Sequence, residues 1–250
     1  MTTLHMLAAG ASKGLVGALS ERFTAETDCT IDGAFGAVGA MRERFLAGEA
    51  CDVVILTDRQ ISELVEHGQV LRGTPAPLGL VRTGIAVPIG QPIPQVATAA
   101  ALAEALSAAR SVFIPDPERS TAGIHFMNVL RQLGIADAVR NKLRPFPNGA
   151  IAMRALADAG EADSIGCTQI TEIKYTEGVI VAGILPDALG LSTIYTAGVT
   201  TTAASPDAAR RLVALLTGDD SSTLRASGGF EPPDSGLALA AGPPAEGSRT

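Results

Sequence analysis

The chain has 250 residues, a net charge of −7, 46% hydrophobic residues and only 4% aromatic ones, with no tryptophan. That length supports a large core without disulfide or metal staples. An acidic surface poor in aromatic rings argues against a nucleic-acid partner, an anionic-lipid partner or a sugar-stacking platform. No apolar run approaches membrane-spanning length, so direct membrane insertion is not expected. The cysteines Cys29, Cys51 and Cys167 match no zinc or redox spacing and read as buried free thiols, which fits a reducing compartment. Met1-Thr2-Thr3 leads straight into the first apolar strand, with no basic and apolar leader. The expectation is therefore a cytoplasmic location, or a periplasmic one if an upstream signal is missing from the sequence.

In chain order, strands are predicted at Leu4–Ala9, Thr30–Phe35, Val53–Leu56, Leu78–Val87, Ser111–Ile114, Leu143–Phe146, Ser164–Thr168, Val179–Leu185 and Thr193–Ala203. Helices fall between them. Leu15, Leu19 and Phe23 form one stripe, Met41, Phe45 and Leu46 a second, and Ile124, Met127, Leu130 and Leu133 a third; all are read as core. A last helix runs from Pro206 to about Leu216. Alternating strands and helices predict a doubly wound α/β fold covered on both faces. Leu78–Val87 and Ser192–Ala203 are long, extended segments suited to crossing between two lobes. They divide the chain into a discontinuous first lobe, 1–80 with 194–231, and a second lobe, 81–193. The Pro-, Gly- and Ala-rich residues 232–250 read as a disordered tail.

Three times a short strand passes through small residues into a helix: Leu4–Ser12, Ile31–Gly39 and Val112–Gly123. The first N–H groups of a helix lack intrahelical partners and carry partial positive charge, so each junction can hold a small anion without a lysine. Every α/β domain has such loops, and spacing alone leaves a purely structural role open. Thr168, Gln169, Thr171 and Glu172 place two hydroxyls, an amide and a carboxylate at one strand mouth, where α/β folds bind ligands. Thr171 and Glu172 also suit a plain helix start. Around them lie Ser12 and Lys13 on the first loop, Arg119, Ser120 and Thr121 on the third, and Asn148 with Arg154 on a later helix. His125 is either a packed neutral histidine or a titratable group near ligand. No metal cluster is legible, Gly33-Ala34-Phe35-Gly36 is no dinucleotide fingerprint, and no cofactor is implied.

Four stretches together resemble the type II periplasmic-binding-protein fold, and its molybdate-binding branch in particular. They are Ala8-Ala9-Gly10-Ala11-Ser12, Phe45 through Ile55, Asp116 through Gly123, and Ala157 through Asp163, closed by Gly229-Phe230. The resemblance implies two α/β lobes closing on a ligand in the cleft between them. It also implies ligand donors at Ser12, at the second loop (Ala37 and Val38), at Ala122-Gly123 and near Thr168. Molybdate binders of this kind carry serines in the second loop and a tyrosine near Thr168; this chain offers no hydroxyl at Ala37 or Val38. A buried anion that lacks a hydrogen bond loses about 1–3 kcal/mol per group, so weak molybdate binding is expected. Isomerases of unsaturated polycarboxylates, aconitate isomerase among them, resemble the same branch. The expectation is an isomerase with Glu172 or His125 as acid/base and the remaining candidates holding carboxylates. The alternative is a solute-binding protein that delivers molybdate, another oxyanion or a carboxylate to an ABC permease.

Overall fold

The computed structural model describes residues 2–233, and the expected tail lies almost wholly outside the described residues. The strands are β1 (Thr2–Ala9), β2 (Cys29–Gly36), β3 (Val53–Thr57), β4 (Ala76–Pro88), β5 (Val112–Pro115), β6 (Leu143–Phe146), β7 (Ile165–Gln169), β8 (Val179–Ile184) and β9 (Ser192–Val199). The helices are α1 (Lys13–Thr27), α2 (Val38–Leu46), α3 (Asp58–Glu66), α4 (Ala99–Ala108), α5 (Thr121–Gln132), α6 (Ala136–Val139), α7 (Gly149–Ala159), α8 (Ile170–Lys174), α9 (Pro206–Thr217) and α10 (Ser222–Gly228).

Strand β4 explains the architecture. At 13 residues it is more than twice the usual strand length, and it serves two sheets in succession. Its first half, Ala76–Arg82, pairs antiparallel with β9, which continues through β3 and β1 to the edge strand β2. Its second half pairs antiparallel with β7 and β8, and β7 continues to β5 and β6 by parallel pairing. At the changeover sits Gly84, where a Cβ would come 2.2 Å from Ile170 Cδ1 and 2.9 Å from the Gly183 carbonyl oxygen. Only a residue without a side chain lets the strand lie this close to its neighbours.

The core divides accordingly. One apolar cluster joins Leu4, Leu15, Phe23, Ile55, Leu64 and Val81 to Tyr195, Leu212, Leu216 and Phe230 from the far end of the chain. A second holds Ile85, Leu102, Val112, Phe126, Leu130 and Cys167, and a third packs Phe113, Met153, Leu156, Ile170 and Ile173 on the opposite face of the same sheet. The chain therefore leaves the first lobe along β4, builds the second, and returns along β9. All three cysteines are buried and unpaired.

Some local expectations are corrected. Leu15, Leu19 and Phe23 are buried on α1, but Leu46 and Ile124 are 45% and 43% exposed. On α5 Ala122, Gly123, Phe126, Val129 and Leu130 are buried and the expected Met127 and Leu133 pack partly buried against the same cluster, so Ile124 alone leaves the expected stripe. The last strand stops at Val199 rather than Ala203. There the chain turns so that Ala204 and Ser205 donate N–H groups to the Asp52 carboxylate, 2.7 and 3.2 Å away, leading into α9.

Candidate functional site

Helix α7 starts where the sequence dictates. Asn148 is extended, and its Oδ1 accepts the Ile151 N–H at 2.9 Å, so one of the orphan donors of the first turn is capped. The next donors back, the N–H groups of Gly149 and Ala150, remain free of that cap. Together with the N–H of Gln169 they favour the charged form of the Glu172 carboxyl. The Thr168 hydroxyl donates to Glu172 Oε2 at 2.5 Å. Glu172 is only 8% exposed, and no cationic side chain pairs with it among the described residues. Burial raises its proton affinity, the hydrogen bonds work against that, and burial prevails, so it titrates above the ordinary carboxylate range.

The space around this carboxyl is tight on two sides. A Cβ on Gly149 would fall 1.9 Å from Glu172 Oε2 and 2.0 Å from Thr168 Oγ1, and a Cβ on Gly10 would fall 2.5 Å from Glu172 Oε1. Gly10 belongs to the first strand-to-helix junction and Gly149 to α7, so one carboxyl is gripped between the two lobes. A third side opens into a cavity of about 480 Å³. Gly10, Lys13, Gly14 and Phe35 line it from one lobe; Asn148, Ala150, Ile151, Arg154, Thr171, Glu172, Tyr175 and Thr176 line it from the other. Lys13 and Arg154 are exposed and place positive charge at the rim. Arg154 reaches only a distant carbonyl, that of Glu177 at 3.5 Å. A second cavity of about 420 Å³ on the far side of the second lobe is walled mostly by proline, alanine and aliphatic residues around Asp163.

Behind the carboxyl, polar groups outnumber their partners. Thr171 is fully buried, and its hydroxyl has no hydrogen-bond partner among the described residues. The same holds for the Gln169 amide and for the hydroxyl of Thr83, its neighbour across the β4–β7 pairing. Gln169 lies against the buried Tyr195, whose phenol is pushed well above its usual pKa by burial and by the nearby Glu172.

The structure thus gathers Lys13, Asn148, Arg154, Thr171 and Glu172 around one cavity, with Thr168 and Gln169 directly behind. The other candidates lie elsewhere. Ser12 is buried, and its hydroxyl donates to the Ala9 carbonyl at 2.8 Å. Ala37 and Val38 are buried at the start of α2, and a Cβ on the following Gly39 would sit 3.2 Å from the Arg119 carbonyl. Arg119 pairs with Glu43 across the lobes. Ser120 sits just ahead of α5, without a side-chain capping bond, and Thr121 opens the helix. Ala122 and Gly123 are buried against the Pro115–Asp116 backbone, where a Cβ on Gly123 would meet the Asp116 carbonyl at 2.2 Å. His125 Nε2 lies 2.8 Å from the Leu189 carbonyl and does not line the cavity.

Sequence reasoning missed Phe35, Tyr175 and Thr176 on the cavity wall, and Tyr195 behind it. Tyr175 is invisible as a lining residue because its place depends on Gly14, where a Cβ would come 2.0 Å from the tyrosine ring. The one usable signal was a glycine directly after a capping-type residue, Asn148-Gly149, ahead of an apolar helix.

Comparisons with known proteins fit this geometry. A family described as bacterial extracellular solute-binding protein matches residues 4–231. An aconitate isomerase from Pseudomonas sp is 27% identical over 241 residues, covering 93% of this chain and 88% of that protein. Among solved structures, the periplasmic molybdate-binding protein of Azotobacter vinelandii superposes with a TM-score of 0.75 at 17% identity, over 92% of this chain and 99% of its own. The sulfate-binding protein SubI of Mycobacterium tuberculosis H37Rv gives a TM-score of 0.70 at 17% identity, over 96% and 90%. At such identities the structural likeness establishes the two-lobed fold.

Proposed function

The chain belongs to the bacterial extracellular solute-binding protein family, and from that premise we propose that it is an isomerase of a small unsaturated polycarboxylate, with Glu172 as its acid/base. The observation that carries this reading is a buried carboxyl, hydrogen-bonded by the Thr168 hydroxyl and raised in proton affinity by its burial, on the wall of an interlobe cavity. A general base works best when its pKa approaches the working pH, and burial moves Glu172 in that direction. The 27% identical aconitate isomerase supports the substrate class.

In the proposed reaction the Glu172 carboxylate takes a proton from a methylene carbon next to the double bond. The electron pair released spreads over the alkene and the adjoining carboxylate. The protonated Glu172 then returns a proton to the far alkene carbon, and the double bond moves by one position with no net gain or loss of atoms. Lys13 and Arg154 at the rim offset the substrate's charge. The lobes in this proposal are residues 1–80 with 194–231 and residues 81–193; the division of the apolar clusters supports it.

The test is to incubate the protein with trans-aconitate in deuterated water and follow the products by NMR. Isomerisation with deuterium incorporation is expected, and Glu172→Gln should lower turnover by roughly 10²–10⁴-fold while ligand binding persists. Ligand at a hundred times its dissociation constant should add about 2.7 kcal/mol to stability. The second reading, capture of an anion for transport, is favoured by the family itself. Tight binding of one anion, with no isomerisation and no deuterium exchange in any unsaturated di- or tricarboxylate, would establish it instead.

A further inference from the structure

One aromatic wall of the interlobe cavity is set by both lobes. Tyr175 follows α8 directly, and its N–H donates to the Thr171 carbonyl at 3.1 Å, so it continues the last turn of the helix. It stands three residues on from Glu172, a spacing that puts both side chains on one face, and both line the cavity. From there the ring crosses to the first lobe. A Cβ on Gly14 of α1 would fall 2.0 Å from its Cγ, and a Cβ on Gly228 of α10 would fall 2.6 Å from its phenol oxygen. Two glycines thus make a slot for the ring. Beside it, the Lys174 ammonium donates to the Ser227 carbonyl at 3.0 Å and ties α8 to α10. Gly14 lines the cavity and Gly228 does not, so the hydroxyl end of the ring lies beyond the cavity wall. Even so, Tyr175 is 38% exposed, and part of its ring is left uncovered by the slot.

We infer that Tyr175 is a specificity-determining residue, whose ring limits the length of the carbon skeleton that the cavity admits. The inference deepens the proposed function and rests on it for one thing, that the ligand is a carboxylate. Lys13 and Arg154 reach the cavity from opposite lobes, so a ligand that offers a carboxylate to each spans the space between them. Its carbon skeleton then meets the apolar walls, Phe35, Ile151 and the Tyr175 ring. A ring gripped between Gly14 and Gly228 cannot turn aside without leaving its slot, so an added methylene is met by a fixed wall rather than a yielding one. A pocket of this kind separates ligands one methylene apart by about tenfold or more.

The test titrates the full chain and its variants Tyr175→Phe, Tyr175→Leu and Tyr175→Ala with succinate, glutarate and adipate by calorimetry. Each acid is one methylene longer than the last, and being saturated none can have its double bond moved. The readout is the affinity for adipate relative to succinate, which a merely structural role would not move. Wild type and Tyr175→Phe should favour the shorter acids alike, because the hydroxyl lies beyond the cavity wall. Tyr175→Ala and Tyr175→Leu should shift the ratio toward adipate by on the order of tenfold or more. Tyr175→Leu keeps apolar cover over the two glycines and carries the test if Tyr175→Ala does not fold; if neither folds, the ring is a structural strut and the inference falls. An unchanged ratio in the trimmed variants, a shifted ratio in Tyr175→Phe, a wild type that prefers adipate, or one that binds none of the three acids also overturns it. The isomerase reading fails separately: length selection without isomerisation of trans-aconitate removes that reading and leaves Tyr175 in its role.

Discussion

Two helix starts in the second lobe have the same local form and different surroundings. At α5 a strand leads through Asp116–Ser120 into a helix whose small residues, Ala122 and Gly123, are buried against the preceding turn, and the adjoining Arg119 pairs outward with Glu43. At α7 a strand leads through Pro147–Asn148 into a helix whose first residue, Gly149, packs against a buried carboxyl beside a cavity. The dipole is alike in both. What differs is whether another part of the chain brings an acceptor to it, so a favourable field at a helix start becomes chemistry only when tertiary packing leaves space and a reactive group in front of it.

The sharpest way to break the comparison is to place a methyl group at each helix start. Gly149→Ala drives a Cβ into the Glu172 carboxyl and the Thr168 hydroxyl, and should cost about 3 kcal/mol or more by overpacking together with the lost hydrogen bonds. Gly123→Ala drives one into backbone carbonyls and should cost a similar amount. Urea unfolding measures both costs. Activity per folded molecule should collapse only in the first; an equal collapse in Gly123→Ala would bring the α5 junction back into the site.

Thr168→Val sharpens the α7 side alone. It removes the hydroxyl that donates to a buried carboxyl and should cost about 1–3 kcal/mol. That hydrogen bond lowers the Glu172 pKa, so its loss raises it, and the acid limb of the pH–rate profile should move to higher pH. An unmoved limb would mean that Glu172 is not the group being titrated.

Stability should carry the same signature. The native state holds the Glu172 proton to higher pH than the unfolded chain does, because burial raises the native pKa. The resulting contribution is fully present below the unfolded carboxylate pKa and is lost as pH rises through the native one. The stability of the wild type relative to Glu172→Gln should therefore fall as pH rises above the ordinary carboxylate range, as read from denaturant midpoints at a series of pH values. A difference that stays flat, or grows, would contradict the buried, unpaired geometry.

The smallest effect is expected at the other junction. Arg119→Ala removes one partner of an ion pair whose side chains are more than half exposed, and should change stability by less than about 1 kcal/mol. It should leave ligand affinity unchanged in a melting-shift assay. A large loss of affinity in Arg119→Ala but not in Glu43→Ala would show that the arginine serves ligand rather than its partner.

Much of the fold was legible because its signals are local. Strand runs, the Leu15–Leu19–Phe23 stripe, the Pro206 helix start and the two long crossing segments depend on neighbours a few residues apart, and periodicity reports those directly. Errors came where a single apolar residue faces outward, as Ile124 and Leu46 do, and where a distant carboxylate ended a strand, as Asp52 does beyond Val199. Glu172 could be singled out as a carboxylate at a strand mouth, but its setting could not. One wall is Gly149 from α7, another is Gly10 from the opposite lobe, and the tyrosine behind it arrives on the returning β9.

The sequence by itself determined the elements, their order, the acidic and aromatic-poor surface and the set of groups able to hold an anion. Only the tertiary structure decided which helix start would face a buried carboxyl and a cavity. Local chemistry made the starts of α5 and α7 equally able to attract negative charge. The turn from β7 into α8 then set a glutamate against the start of α7, while the turn before α5 closed its own carbonyls over Gly123. An electric field is a property of a few residues in sequence, whereas an enclosed, desolvated carboxyl needs walls from elements far apart in the chain, and burial is what changes its proton affinity.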